Sequence, residues 1–572
     1  MALFTHGQSR GSSSVNSGER RAGKFGRLFH LPSLGTPRDA LLQRHLAHLA
    51  ATMIEHPVDV EKEDTFGLEP TSNLHATPAG FTYLGQMIDH DLTFDPASQL
   101  QKTNDPHSLI DFRTPAFDLD CLYGSGPSDM PYLYDQHQGE GLRFLIEKNQ
   151  FGVHELPRNS QGFALIGDKR NNENQIIGQL HLAFLQFHNR VFDTLSSQPN
   201  TAEKFEEVSR IVRHHYQWIV LTDFLPRIVR SEVLRHILPN WDVLTSPRGE
   251  GTGPYLRWTP DLWFFGHDGE VFLPVEFAVA AYRFGHSMVR LDYALNTKDH
   301  PAGKEVLIFD LHEPDLRGFA PLKPEFVIEW PRFFGTVTAS NDVQPARSID
   351  TLLVSALGAL PSVVVTPEDG KPGSDFSSLA FRNLMRAVAL GLPSGQEVAR
   401  AMGLPERAIL RKDNGFSIGP QDYKIRNQTP GKDPSIPTPV IEKFGAELTA
   451  YFAEQTPLWY YILKEAEVFE QGQRLGWVGG RIVAEVFLGL LHADASSFLH
   501  QAPGWQPQAG KFGCTMTGVY TMENLLSFAG AFAETDPAPA PCVPSPHLGC
   551  GKGAGLAHRP SCHCPRTTKN TA

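Results

Sequence analysis

The chain has 572 residues, long for one compact core, so length favours either several domains or one large helical one. Hydrophobic residues make up 41% and charged residues 20%, an ordinary globular balance, and no run approaches the roughly 18 apolar residues of a membrane span. The formal net charge is −12 with no basic block interleaved with aromatics, which argues against nucleic acid as a partner.

Residues 1–24 are rich in Ser, Gly and Arg and are expected to be mobile. No apolar segment stands behind MALFTHGQSR to read as a signal peptide, so the expectation is a cytoplasmic protein or one exported by a non-classical route. Residues 25–535 read as one large, mainly α domain with long irregular loops and little β. Apolar residues recur at three- and four-residue spacing over 38–54, 76–92, 174–196, 201–221, 275–290, 376–390, 440–463 and 474–493, which predicts helices there. Ser394 with Glu397 forms a capping-box pattern, and GLP at 391–393 ends the helix before it. LIFDLH at 307–312 is a strand candidate. AEVFLGLLHADASSFLH at 484–500 carries Glu485, His492 and Asp494 and reads as a core helix. Cys121 and Cys514 lie in the body, which is therefore not a disulfide framework. Residues 536–572 hold Cys542, Cys550, Cys562 and Cys564 with His547, His558 and His563; their spacing fits no zinc pattern, and this Pro/Gly-rich tail is expected to be disordered.

Five stretches carry chemistry. In GQMIDHDLTFDP, His90 stands between Asp89 and Asp91. On a helix Gln86 and His90 lie about 40° apart on one face, and the two aspartates flank His90 by about 100° on either side. The three groups thus address three environments: a histidine facing a pocket is a candidate general base, and an aspartate on the far side a candidate cation ligand. The alternative is a helix end with solvated acids and a hydrogen-bonded histidine. In RTPAFDLDCLYGSGP, Thr114, Asp118 and Asp120 stand at even spacing with the Ala116 carbonyl between them. Alternate residues of an extended loop point one way, which converges oxygens as calcium demands; an acidic turn is the alternative. In GDKRNNENQ, Arg170 and Glu173 share one face of a helix start, as a functional pair or a surface ion pair. His181 and His188, in the helix that follows, read as structural rather than as ligands. In FAVAAYRFGHSMVR, His286 lies among apolar residues, and Gly285 lets something flat approach beside it; a core histidine is the alternative. In LAFRNLMRAVALGLP, Asn383 and Arg386 stand one turn apart. A buried asparagine needs partners, and the N–H of a metal-bound imidazole is a natural one.

The order of these stretches is more specific than any one of them. QxxDHD, then TxAxDxD before YGS, RxxE before a helix with FHNR, RFGH, and NxxR before GLP resembles the animal-type haem peroxidase family of the peroxidase–cyclooxygenase superfamily, from about residue 70 to about residue 400. The resemblance implies haem b and Ca2+ as cofactors. It makes His90 the distal histidine, Gln86 its pocket neighbour and Arg170 the distal arginine. It makes His286 the proximal ligand of the haem iron and Asn383 the acceptor for the other ring nitrogen. Asp91, Thr114, Ala116 through its carbonyl, Asp118 and Asp120 would surround calcium. Asp89 and Glu173 match two acids that esterify the haem methyl groups in many members, and Arg283 and Arg386 match positions near the propionates. The implied reaction reduces hydrogen peroxide and oxidises a halide, a pseudohalide or a small organic donor through a ferryl intermediate, as in a response to oxidative stress.

Two departures qualify the resemblance. Asn174 follows Glu173 where one mammalian branch has a methionine bonded to the haem, so no sulfonium link is expected. The body lacks the cysteines of secreted animal members and looks like the bacterial ones. Two other functions compete. A fatty-acid dioxygenase of the same superfamily would need a tyrosine three residues before His286, where Arg283 stands; Tyr282 is one residue off. A non-catalytic adhesion or matrix module would be free to lose His90 or Arg170, and both are present.

Overall fold

The computed structural model describes residues 23–531 apart from 56–73, 95–103, 106–108, 138, 243–258, 267–270, 311–313, 338–341, 362–374, 419–437, 503 and 516–517. The cysteine- and histidine-bearing tail and residues 1–22 lie outside the described residues.

Most helices start where the sequence supplies a cap. α1 (Ala40–Thr52) follows Asp39, whose carboxylate accepts from the Leu41 and Leu42 amides. α2 (Gly80–Leu92) carries the Asp-His-Asp sequence. α3 (Gln175–Thr194) follows Asn174, whose side chain accepts from Ile176 and Ile177. α4 (Ala202–Ile219) follows Thr201. α5 (Leu379–Ala389) carries Asn383, and the Ser394–Glu397 capping box opens α6 (Gly395–Ala401) as the sequence predicts. α7 (Leu458–Glu470) and α8 (Trp477–Ala493) complete the frame. α3 packs on α2 and α4, and its aromatic and aliphatic face joins one continuous apolar core. α7 and α8 pack on each other and on the segment that carries His286, which α2 meets as well. The fold is therefore mainly α. Its strands are short; the largest sheet among the described residues orders Ile110–Asp111, Gly23–Gly26 and Leu273–Pro274. No described helix is long and apolar enough to cross a membrane.

Several boundaries differ from the periodicity, each for a local reason. The helix expected from residue 76 starts at Gly80, because Leu74–Pro78 pairs as a strand with Pro345–Arg347 and Pro78 disfavours a helical residue before it. Lys24, expected to be mobile, pairs with Ile110 in the sheet. The segment 275–290 is helical only over Val275–Ala278 and then winds as a 3-10 helix over Ala281–Met288. There Arg283 Nε takes the Ala278 carbonyl at 3.2 Å, in place of a backbone donor. The run 440–463 is two helices, because Gln396 holds the turn between them by bonds to Ala453 and Thr456, and Pro457 has no N–H to continue a ladder. α8 starts at Trp477 where the buried Glu465 carboxylate accepts from the Val478 and Gly479 amides. The strand expected at 307–312 is Val306–Leu307, paired with Asp292–Tyr293. Within 484–500, Glu485 is a core residue that accepts from the Trp263, Phe264 and Phe265 amides and from Arg481.

Candidate functional site

Ten of the thirteen residues of α2 are buried; Gly85, Gln86 and Asp89 are those that keep accessible surface. They lie at helical spacing on one stripe, so the helix is enclosed everywhere except along a strip that carries an amide and a carboxylate. That strip, Glu173 and His90 Nε2 border one space, the cleft of the site. Burial raises the Asp89 carboxyl, with Arg170 and Arg283 pulling against it, and burial pushes Glu173 up to about 7. Gln86 donates to Glu173 and accepts from Asn174 Nδ2 at 3.3 Å. Glu173 Oε1 stands 3.9 Å from His90 Nε2.

His90 itself is buried, and burial reinforced by the charge of Arg170 draws its ring down to about 3, so the imidazole is neutral. Its Nδ1 lies 2.7 Å from Asn171 Oδ1. Arg170 is held from three sides. Its NH2 donates to the His90 carbonyl at 3.0 Å and to Asp168 at 2.8 Å, and its guanidinium lies 4.8 Å from the centre of the Phe94 ring. Asp168 also accepts from Arg113, which in turn donates to Asp120 at 3.2 Å. Burial opposes ionisation of Asp168, but Arg170 and then Arg113 hold its carboxyl well below the usual range. Arg170 and Glu173 form no ion pair within 4 Å among the described contacts; the expectation of a direct pair gives way to Arg170–Asp168, because Asp168 is the cap of the Lys169–Asn172 turn and already faces the arginine. A capping aspartate two residues before the arginine is the signal that sequence reading passed over.

On the other side of the site, the 3-10 winding puts Arg283 and His286 one turn apart on one face. Burial and the charge of Arg283 draw His286 down to about 3, leaving a neutral, lone-pair-bearing ring. Asn383, buried on α5, bridges the two: Nδ2 is 2.8 Å from His286 Nδ1, and Oδ1 accepts from Arg283 NH1 at 2.7 Å. The amide thus presents its nitrogen to the imidazole rather than the expected oxygen, because a guanidinium can only donate and claims the oxygen. Arg386 follows on α5 one turn after Asn383, half-buried. Tyr282 meets the same strip of α2, its hydroxyl donating to the Gly85 carbonyl at 3.2 Å and its ring stacked on Phe277.

A third cluster sits behind α2. Carboxylate oxygens of Asp91, Asp118 and Asp120 lie within 4.8 Å of one another. Asp91 is fully buried; the Leu119 amide and the Tyr216 hydroxyl face its carboxylate, but neither closes a well-formed hydrogen bond with it. Burial and then Asp118 push Asp120 up to about 7, and the same causes raise Asp91 further. Leu119, between two of the acids, adopts φ 56°, a left-handed conformation that costs a non-glycine residue about 1–2 kcal/mol. Strain spent on gathering like charges around a buried carboxylate is what an oxygen-ligated cation site looks like without its ion. Thr114 is drawn to the same cluster, its amide 3.5 Å from Asp120 Oδ2, and its carbonyl accepts from the Ala116 amide at 2.7 Å.

The family model for animal haem peroxidases matches residues 94–407, more than half of the chain. The chain belongs to the animal haem peroxidase family. Thyroid peroxidase of Sus scrofa is 26% identical over 227 residues, 34% of this chain and 22% of that protein, so the chain matches about a fifth of the relative's length. In fold, this haem peroxidase family member is similar to peroxidase A from Dictyostelium discoideum, with a TM-score of 0.56 at 16% identity over 90% of this chain and 94% of that one. It is also similar to the fatty acid alpha-dioxygenase of Arabidopsis thaliana, with a TM-score of 0.55 at 14% identity over 90% and 81%. Family membership implies haem, and the residues fit it. A Cβ built on Gly285, beside His286, would meet no heavy atom within 4 Å, so a flat group has room against the backbone there. His286 is neutral, and the accessible strip of α2 borders the cleft.

Proposed function

We propose that the chain is a haem-dependent peroxidase that takes hydrogen peroxide and a small electron donor, a halide, pseudohalide or organic molecule. The observation that carries this reading is the pairing of a neutral, buried His90 with an Arg170 tied to the His90 carbonyl. His286 would hold the haem iron through Nε2, and Arg283 and Arg386 would meet its propionates. Haem bound there would supply two electrons to the peroxide and store the two oxidising equivalents until a donor consumes them. His90 accepts a proton from the inner oxygen of hydrogen peroxide and returns it to the outer oxygen, which departs as water. Arg170, fixed by Asp168 and Phe94, sets positive charge where negative charge develops as the O–O bond breaks. Gln86 borders the same space and holds Glu173. Iron ligation through Nε2 leaves the proton on His286 Nδ1 and requires an acceptor there. With haem held there, the Asn383 amide would have to present its oxygen to His286, and Arg283 would then be free to meet an anionic group of the cofactor.

Asp91, Asp118 and Asp120, with Thr114 and the Ala116 carbonyl, are the proposed calcium ligands. Asp89 and Glu173 are the proposed ester positions. The dioxygenase reading loses support from Tyr282, which is wedged against Phe277 with its hydroxyl on Gly85, while Arg283 holds the position three before His286.

The deciding experiment is full-length protein produced with haem supply and assayed in parallel. Peroxide-dependent oxidation of bromide, thiocyanate or a phenol is expected. Oxygen uptake with a long-chain fatty acid and no peroxide turnover would replace the peroxidase reading by the dioxygenase one, and haem-loaded protein inert in both assays would favour a non-catalytic module.

A further inference from the structure

Asn171 has no accessible surface and lies between two histidines of different fates. Its Oδ1 is 2.7 Å from His90 Nδ1, and its Nδ2 is 3.0 Å from His181 Nδ1. An amide has one accepting and one donating end. An oxygen toward His90 requires the proton of that ring on Nδ1 and leaves the lone pair on Nε2. A nitrogen toward His181 requires the lone pair of that ring on Nδ1 and places its proton on Nε2. His181 Nε2 is buried and has no hydrogen-bond partner among the described residues. Burial keeps His181 neutral, drawing it down to about 4, so its Nδ1 stays available as an acceptor.

We propose that Asn171 and His181 form a tautomer relay that holds His90 with its proton on Nδ1 and its Nε2 free to act as base. The proposal rests on the peroxidase reading for its purpose, but not for its geometry. If the amide reverses, every proton in the relay reverses with it: Asn171 donates to His90 Nδ1, and Nε2–H faces the cleft, where it cannot accept a proton. His181 is thus a positioning residue two steps from the substrate. It completes the hydrogen bonding of the amide by offering an acceptor at the far end. When His90 takes up a proton, the Asn171 oxygen continues to accept from Nδ1–H, so the relay serves both protonation states without moving.

The test reads the tautomer directly. Full-length protein with 15N-labelled histidine is expected to show His90 with a protonated Nδ1 and His181 with a protonated Nε2, with and without haem. The opposite pattern at either ring overturns the relay. A second readout is the rate at which cyanide, offered as HCN, binds the ferric haem-loaded protein, which needs a base but no turnover. Asn171→Leu is expected to slow it about 100-fold or more, within the range of a lost general base. Asn171→Asp, which keeps an acceptor at His90, is expected to remain within a few-fold of wild type. His181→Leu is expected to give mixed His90 tautomers and a slowing of about tenfold. Wild-type cyanide rates in folded Asn171→Leu, or a loss in Asn171→Asp equal to that in Asn171→Leu, would overturn the proposal. Absence of peroxide turnover in wild type with the expected ring signals would defeat the peroxidase reading and leave the relay standing.

Discussion

At Asn383 one amide is claimed from two sides, and its oxygen goes to Arg283 rather than to His286. Once the amide turns, a neutral oxygen gives the iron-bound imidazole less anionic character than a carboxylate would. Asn383→Asp is expected to lower the haem reduction potential by about 50–100 mV, the equivalent of about 1–2 kcal/mol of added charge assistance. Redox titration of both proteins checks this, and an unchanged or raised potential would sink it. Asp89 and Glu173 lend themselves to a second measurement at this scale. Both carboxyls are raised by burial, which favours the neutral acid that an ester replaces. Haem is expected to remain with the polypeptide through acid–acetone extraction, and to be released in the double variant Asp89→Asn, Glu173→Gln. Complete release from wild type would show that it is not covalently bound. Arg113, Asp168 and Asn171 escaped sequence reading, and for Arg113 and Asn171 nothing in the spacing announces them: each acts through a partner distant in sequence.

Among elements, α2 has a face for each residue of its Asp-His-Asp sequence, and the acidic cluster lies on the third. Asp91 leaves the helix on the side opposite the cleft and meets Asp118 and Asp120 from a separate loop. Burial and then the charge of Asp118 raise the Asp91 and Asp120 carboxyls, a repulsion that a cation among them would relieve. Chelation with EGTA is expected to lower the thermal midpoint by several degrees, and Asp118→Asn to remove that response; a midpoint indifferent to chelator and calcium would exclude the ion. The 3-10 segment makes a second element-scale statement. Gly285 has open space beside it, so a side chain there should fold but fill the cleft. Gly285→Leu is expected to keep the far-ultraviolet circular dichroism of wild type and to lose most haem retention. Full haem loading in that variant would show that the flat group does not lie against Gly285.

Over the whole molecule, the buried histidines set the response to acid. Burial draws His181, His188, His214 and His215 each down to about 4. In the unfolded chain they titrate near about 6.5. Between those values the unfolded state binds more protons. The contribution of each is therefore fully present above about 6.5 and is lost as pH falls toward about 4, with a slope of about 1.4 kcal/mol per pH unit for each ring. In the fold, His188 contacts Tyr123 Oη at 3.1 Å and the Leu142 carbonyl at 3.0 Å, contacts that glutamine can reproduce. His188→Gln is expected to reduce the pH slope of the urea-unfolding free energy by one such increment over that window. An unchanged slope would mean that His188 does not titrate between the two states.

Helix class, most helix centres, the capping box at Ser394 and the residues around His90, Arg170 and His286 were legible in the sequence. Periodicity and capping are local, so a helix centre or a cap can be read from its own short stretch. The breaks in that periodicity were not legible, since they depend on side-chain bonds: Gln396 and Glu465 act from other helices, and Arg283 folds back on Ala278 within its own segment. The sequence by itself determined which family the chain belongs to and which polar groups are candidates for its site. Only the tertiary structure decided which way each group is protonated and held. Tautomer, amide direction and ion pairing depend on which donor and acceptor meet across 80 or more residues, as at Arg170 with His90 and at Asn383 with His286. No local pattern encodes a partner that the fold alone brings near.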